Sequence, residues 1–277
     1  KASPVNNTVY VDGPLTFDDT AINTPKSQDL ITTGGTSSEG DVYYAVIRST
    51  TEPTTPSAST SAPWTKTTAD IVADVPGDYY IYTYTHHTTN NYTDSDVKFE
   101  KKITVNPKDG YIKDTSDITP NTNLGYTGNP IQLITQGIDP TKATGVLYYS
   151  SGTSSTAPTS KDGFVTDIED VTQTAVADYY IYYYAKASTN GYYNDSSIGV
   201  YGPISLGKSQ ITFVEGKVPT AKSGLTYSGS DQALIDVTNV QTTDNIGVVK
   251  YAFGDNGTTA PTSGWTEDVS TIIKTNA

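Results

Sequence analysis

The chain has 277 residues, 30 acidic against 17 basic, for a net charge of −13, with no Cys, no Met, two His and a single Arg, Arg48. Without cysteine there is no disulfide framework, no thiol nucleophile and no thiolate-held zinc, iron–sulfur or haem group. An acidic surface with one Arg repels phosphate backbones and anionic lipid heads, so neither nucleic acid nor a membrane surface is an expected partner.

In chain order, Leu15-Thr16-Phe17 and Leu30-Ile31 predict a pair of early strands, and Val42-Tyr43-Tyr44 predicts the next. A Ser/Thr/Pro-rich loop, 49–63, then ends at Trp64, and the turn 73–77 leads into Asp78-Tyr79-Tyr80-Ile81-Tyr82 and a last strand at 102–105. The same landmarks recur as Leu124-Gly125-Tyr126, Leu133-Ile134, Val146-Leu147-Tyr148-Tyr149, Pro158, Phe164 and Asp178-Tyr179-Tyr180-Ile181-Tyr182. They begin a third time as Leu225-Thr226-Tyr227, Leu234-Ile235, Val248-Val249-Lys250-Tyr251, Pro261 and Trp265, with no third tyrosine strand. Tyr44 and Tyr149 are 105 positions apart, Tyr149 and Tyr251 are 102 apart, and Asp78 and Asp178 are 100 apart. A period of about a hundred residues is the size of an independent β-sandwich and far longer than a solenoid repeat.

The expected organisation is all-β: repeat 1 at 1–106, repeat 2 at 107–207, and an incomplete repeat 3 at 208–277 lacking its last two strands. Three explanations stand for the third repeat: a truncated chain, a proteolytic fragment, or completion by strands from another chain. A monomer is expected unless another chain completes it. Lys1 in place of an initiating Met reads as a processed or excised chain, and apolar runs of a few residues predict no membrane insertion and no signal peptide. In the first tyrosine strand Tyr80, Tyr82 and Tyr84 alternate with Ile81, Thr83 and Thr85, which predicts tyrosines inward and threonines outward. The second, with Tyr183 and Ala185 among Tyr180, Tyr182 and Tyr184, leaves the inward set open. The turn before each strand is similar to the corner before strand F of immunoglobulin-like sandwiches, where a Tyr hydroxyl bonds to backbone upstream.

Chemistry-bearing residues are sparse. His86 and His87 are adjacent on one strand end and point to opposite faces, so they do not converge on a metal or substrate, and no catalytic triad can be assembled. No enzyme activity and no catalytic residue is expected. Asp94, Asp96 and Asp195, in equivalent loops after the tyrosine strands, are the candidate ligands for Ca²⁺; ordinary turn chemistry is the competing reading of the same residues. For a sugar, flat aromatic faces are needed, and Trp64, Trp265, Tyr43, Tyr92, Tyr192 and Tyr193 are available. Trp64 and Trp265 hold equivalent positions, filled by Phe164 in the middle copy, which points to packing. Tyr192 and Tyr193, in a loop, are expected to be the exposed platform, and Tyr92 is a further candidate binding residue. Lys102 and Asn106 show no placed acid for a Lys–Asn cross-link, and none is expected.

The order Leu-Thr-Tyr, Leu-Ile, Val-Val-x-Tyr, Ala-Pro-Thr, Trp, Asp-Tyr-Tyr-Ile-Tyr resembles the tandem bacterial immunoglobulin-like (Big-type) repeats of Gram-positive cell-surface proteins, over nearly the whole chain. The resemblance implies tandem immunoglobulin-like β-sandwiches in an elongated array. It also implies an extracellular, cell-wall-associated protein acting as a non-catalytic stalk or adhesin module, with a glycan or a host or surface protein as partner. The alternative is a carbohydrate-binding module of an adherence system. The longer loop of repeat 1, with Gly125 and Phe164 in repeat 2, departs from the pattern.

Overall fold

The computed structural model describes residues 1–89, 91–243, 247–254 and 257–274. The last three residues of repeat 3, 275–277, and Asn90 in the loop before Asp94 therefore lie outside the described residues. Regular structure is β-strand with a few 3-10 turns; no α-helix occurs among the described residues, and no helix is long and apolar enough to cross a membrane. The chain forms two compact units. One comprises Lys1–Thr122, Ile131–Gln173 and Ala177–Ser205; the other comprises Asn123–Pro130, Thr174–Val176 and Leu206–Ala277.

In the first unit, five strands of repeat 1 make one sheet. They are β1 (Leu15–Thr16), β2 (Asp41–Arg48), β3 (Trp64–Thr65), β4 (Gly77–His86) and β5 (Lys98–Asn106), in the order β1-β5-β4-β2-β3. The tyrosine strand β4 is central, antiparallel to both β2 and β5, with Tyr84 opposite Tyr43 and Tyr80 opposite Ile47. β1 runs parallel to the end of β5. Repeat 2 places β6 (Gly145–Gly152), β7 (Ala177–Ala187) and β8 (Gly199–Leu206) in the order β6-β7-β8, with Tyr184 opposite Tyr148. Short pairs recur as well: Gln28–Asp29 with Val72–Ala73, then Ile131–Gln132 with Thr172–Gln173. Gly40 and Gly145 enter β2 and β6 against the carbonyls of His86 and Lys186, too close for any Cβ, which is why glycine stands there in both copies.

Both faces of β4 are buried: Tyr80, Tyr82 and Tyr84 lie inward as expected, but Thr83 and Thr85, expected outward, are buried as well. Tyr79 and Ile81 lie in the main core with Phe17, Leu30, Tyr44, Ile71, Ile103 and Val105, while Thr83 and Thr85, on the same face, are also buried. Tyr80, Tyr82 and Tyr84 face the other way, into a second cluster with Tyr43, Ala45 and Trp64. The long loop 49–63 covers that cluster. Its carbonyls accept the Tyr82 hydroxyl (Pro53, 3.3 Å), the Tyr84 hydroxyl (Ser59, 2.5 Å) and the Trp64 indole N–H (Ser57, 2.9 Å). Phenol and indole groups are buried at little cost when their polar ends are met in this way, which makes a Ser/Thr/Pro loop an adequate lid for an aromatic row. The device recurs in repeat 2, where Tyr182 donates to Ser154 O at 2.7 Å. Ring geometry recurs too: Tyr43 stacks on Tyr84 at 5.3 Å and Tyr148 on Tyr184 at 5.4 Å, with Trp64 and Phe164 edge-on to the second ring.

The Tyr79 hydroxyl donates to Val75 O at 2.7 Å across the turn before β4, the contact expected of the corner. In the second unit, Thr220–Ala221 pairs with Ile235–Asp236, Gln232–Ala233 pairs with Ile273–Lys274, and Gly125 bridges Gly207.

Candidate functional site

A buried polar cluster lies where repeat 1 meets repeat 2. Asp19 opens a short hairpin, Asp19–Ala21 with Thr24–Pro25, whose turn carries Asn23 at a positive φ of 58°. Asn tolerates that left-handed conformation better than most residues. The hairpin follows Phe17, which β1 anchors in the core of repeat 1. From repeat 2 come Lys108, Tyr111, Tyr192 and Tyr193; the Lys108 N–H donates to Tyr192 O and the Asn194 N–H to Lys108 O, joining the segment after β5 to the loop after β7.

Asp19 is the centre of this joint. Its side chain is 2 % exposed and accepts from Lys108 Nζ at 2.5 Å, the Tyr193 hydroxyl at 2.7 Å and the Tyr111 hydroxyl at 2.9 Å. Burial alone would raise its pKa; the bonds from Lys108, Tyr193 and Tyr111 outweigh burial and hold the carboxyl below the ordinary carboxylate range. Burial and the neighbouring Asp19 together push the Tyr193 and Tyr111 phenols up, so both stay protonated donors. Tyr193 also accepts from the Asn23 N–H at 3.2 Å, and Asn190 Nδ2 donates to Asn23 Oδ1 at 3.0 Å. Around this polar centre Phe17 stacks on Tyr192 at 4.9 Å and meets Tyr193 edge-on at 5.5 Å. Such ring pairs contribute about 0.5–1.5 kcal/mol each beyond the area they bury.

Tyr192 and Tyr193 are therefore placed otherwise than expected. Tyr193 is 2 % exposed and belongs to the core of repeat 1, and Tyr192 is half-buried on Phe17. Tyr92 does stand exposed, at 48 %, with the His87 ring 4.9 Å away. Tyr43 and Trp64 are buried, whereas Trp265 is half exposed, at 49 %, so the two equivalent tryptophans differ in packing.

The three aspartates nominated for Ca²⁺ each meet protein donors. Asp94 accepts from His86 Nδ1 at 3.0 Å and the His87 N–H at 3.1 Å; these bonds outweigh the effect of burial and keep its pKa low. Asp195 accepts from the Ala187 N–H at 2.8 Å and Lys161 Nζ at 3.0 Å, and both bonds lower its pKa. Asp96 is paired with Lys1. Asp94 and Asp195 do the same work at the ends of β4 and β7, and each is followed by a buried serine. Ser95 Oγ accepts the Thr85 N–H at 2.8 Å, and Ser196 Oγ accepts the Ala185 N–H at 2.9 Å. Asp-Ser is thus a clamp on the backbone of the tyrosine strand. Among the described residues no three His or carboxylate groups gather as a metal cluster.

The joint itself could have been sought by aligning the copies on Asp94-Ser95 and Asp195-Ser196, which superposes exposed Tyr92 on buried Tyr193. No sequence signal marks Asp19, which reads as one more acidic turn residue. A scan against protein-family models finds no match, and a search of the curated proteins finds none either.

Proposed function

We propose that this chain is a segment of an extracellular, cell-wall-associated protein built from tandem immunoglobulin-like β-sandwiches, and that it acts as a non-catalytic stalk or adhesin module. The observation that carries this reading is the Asp19 joint. Aromatic and charged side chains that would suit a ligand site are instead spent on joining repeat 1 to repeat 2, as a spacer requires. The tyrosine corner at Tyr79, the recurring strand order and the loop-covered aromatic rows support an immunoglobulin-like unit. Function here is mechanical: a joint with little freedom transmits load and holds whatever it carries at a fixed distance, while the net charge of −13 opposes self-association.

The second reading, a carbohydrate-binding module, keeps one favourable observation, the exposed Tyr92 beside His87. A glycan and polysaccharide array probed with the intact chain separates the two. The stalk reading expects no specific retention. Retention abolished by Tyr92→Ala would replace it with the carbohydrate-binding one.

A further inference from the structure

Repeats 1 and 2 carry the same cleft, and a pair of sequence differences changes what it offers. It is lined in each copy by a buried phenol, Tyr44 or Tyr149, which accepts a backbone N–H from Gly35 at 2.6 Å or Ile138 at 2.8 Å. Equivalent positions supply the walls: Asp41 and Val42 of β2 against Val146 and Leu147 of β6, then Lys66 and Thr68 against Thr166 and Ile168. In repeat 1 the cleft measures about 490 Å³, and two of its lining residues, Lys66 and Asp41, are ion-paired at 2.5 Å. Valine and threonine hold those two positions in repeat 2, where the cleft is about 690 Å³.

The repeat 2 cleft combines apolar walls with carboxylates. Val146 is 55 % exposed where repeat 1 has a charged residue, next to buried Ile138 and Leu147 and half-buried Ile168. Asp117 and Asp139 line the same space. Lys142 answers Asp117 at 2.7 Å and Asp114 at 2.9 Å. Asp139 accepts from the Thr141 N–H and hydroxyl through Oδ1, each at 2.8 Å, and forms no ion pair among the described residues. Nor do Asp167, Glu169 and Asp170, which flank Ile168 on its 3-10 turn. Small-ligand sites commonly enclose roughly 300–1,000 Å³, and uncompensated carboxylates beside a low-dielectric wall favour a cation that brings its own apolar surface.

We infer that the repeat 2 cleft is a binding site for an organic ammonium ion with an apolar body, an alkylammonium, its chain against Val146, Leu147 and Ile168 and its charge met by Asp139. Repeat 1 supplies both partners from its own chain, Lys66 the ammonium and Asp41 the carboxylate. The same chemistry arises from a lysine side chain of a protein partner or from a free amine. The cleft shares no residue with the Asp19 joint, and the inference does not rest on the stalk reading.

The test titrates the intact chain, its Ile, Leu and Val methyl groups isotope-labelled, with hexylammonium, hexanol, hexanoate and Nα-acetyl-lysine amide at neutral pH. Expected with hexylammonium are saturable methyl shifts at Ile138, Val146, Leu147 and Ile168, and none at Val42 of repeat 1. Binding should be about fivefold tighter than that of hexanol, and hexanoate should not bind. Asp139→Asn should weaken hexylammonium about threefold, the scale of one exposed ion pair. Val146→Asp with Thr166→Lys, which places the repeat 1 pair at two exposed positions, should abolish binding. Saturation by the lysine derivative as well assigns the cation to a protein partner's side chain, and its failure beside hexylammonium binding assigns it to a free amine; either result supports the site. Equal binding of hexanol and hexylammonium, equal shifts at Val42, or no saturable shift at the named methyls overturns the inference.

Discussion

Asp19 shows how a single carboxylate sets a joint. Its three donors come from repeat 2, and its backbone belongs to repeat 1, so its ionisation is tied to the contact between them. The folded pKa lies below the unfolded one. The stabilisation is therefore complete above the ordinary carboxylate value, about 3.9, and is lost as pH falls through the depressed folded value. Acid titration should loosen the joint below about pH 4 and leave it unchanged between pH 5 and 8. Asp19→Asn should cost about 2 kcal/mol at neutral pH, the scale of a hydrogen bond to a charged group, and should flatten that acid limb. Denaturant melts of wild type and variant across pH check both. A variant with the same acid limb as wild type would place the titrating group elsewhere.

At the scale of the element, the tyrosine strand is held at its end by the Asp-Ser clamp. Ser95→Ala and Ser196→Ala each leave a buried N–H, of Thr85 or Ala185, without its acceptor, at an expected cost of about 1–3 kcal/mol. Ser95→Ala should also speed exchange of the Thr85 amide specifically, which hydrogen-exchange mass spectrometry reads. Unaltered stability in both would mean that the clamp is replaceable by water. Much at this scale is legible in the sequence: the runs that become β2, β4, β6 and β7, their spacing along the chain and the turn before β4 follow from Thr/Tyr/Val/Ile runs broken by turn residues. The facing of β4 is not legible. Alternation says that two faces differ, but not that a Ser/Thr/Pro loop covers one of them, because the hydrogen bonds of Tyr82, Tyr84 and Trp64 go to loop carbonyls that any sequence supplies. Tyr192 and Tyr193 mislead for a related reason: a loop is exposed only until another repeat packs on it. The partners of Asp94 and Asp195, the His86 and Lys161 side chains and backbone amides, are not legible either, since they are brought to the carboxylates only by folding.

At the scale of the whole molecule, the account rests on repeats 1 and 2 sharing a core, since Tyr193 meets Phe17 and belongs to the same buried cluster as Tyr44 and Ile81. Phe17 is 1 % exposed, and Phe17→Ala should cost about 3–5 kcal/mol. If the joint couples the repeats, the loss will not stay within repeat 1. Hydrogen-exchange mass spectrometry of the intact chain, wild type against Phe17→Ala, is the most direct test. The account predicts faster exchange in repeat 1 together with repeat 2 segments 108–111 and 190–194. Loss confined to residues 1–106, with 108–111 and 190–194 as protected as in the wild type, would contradict it.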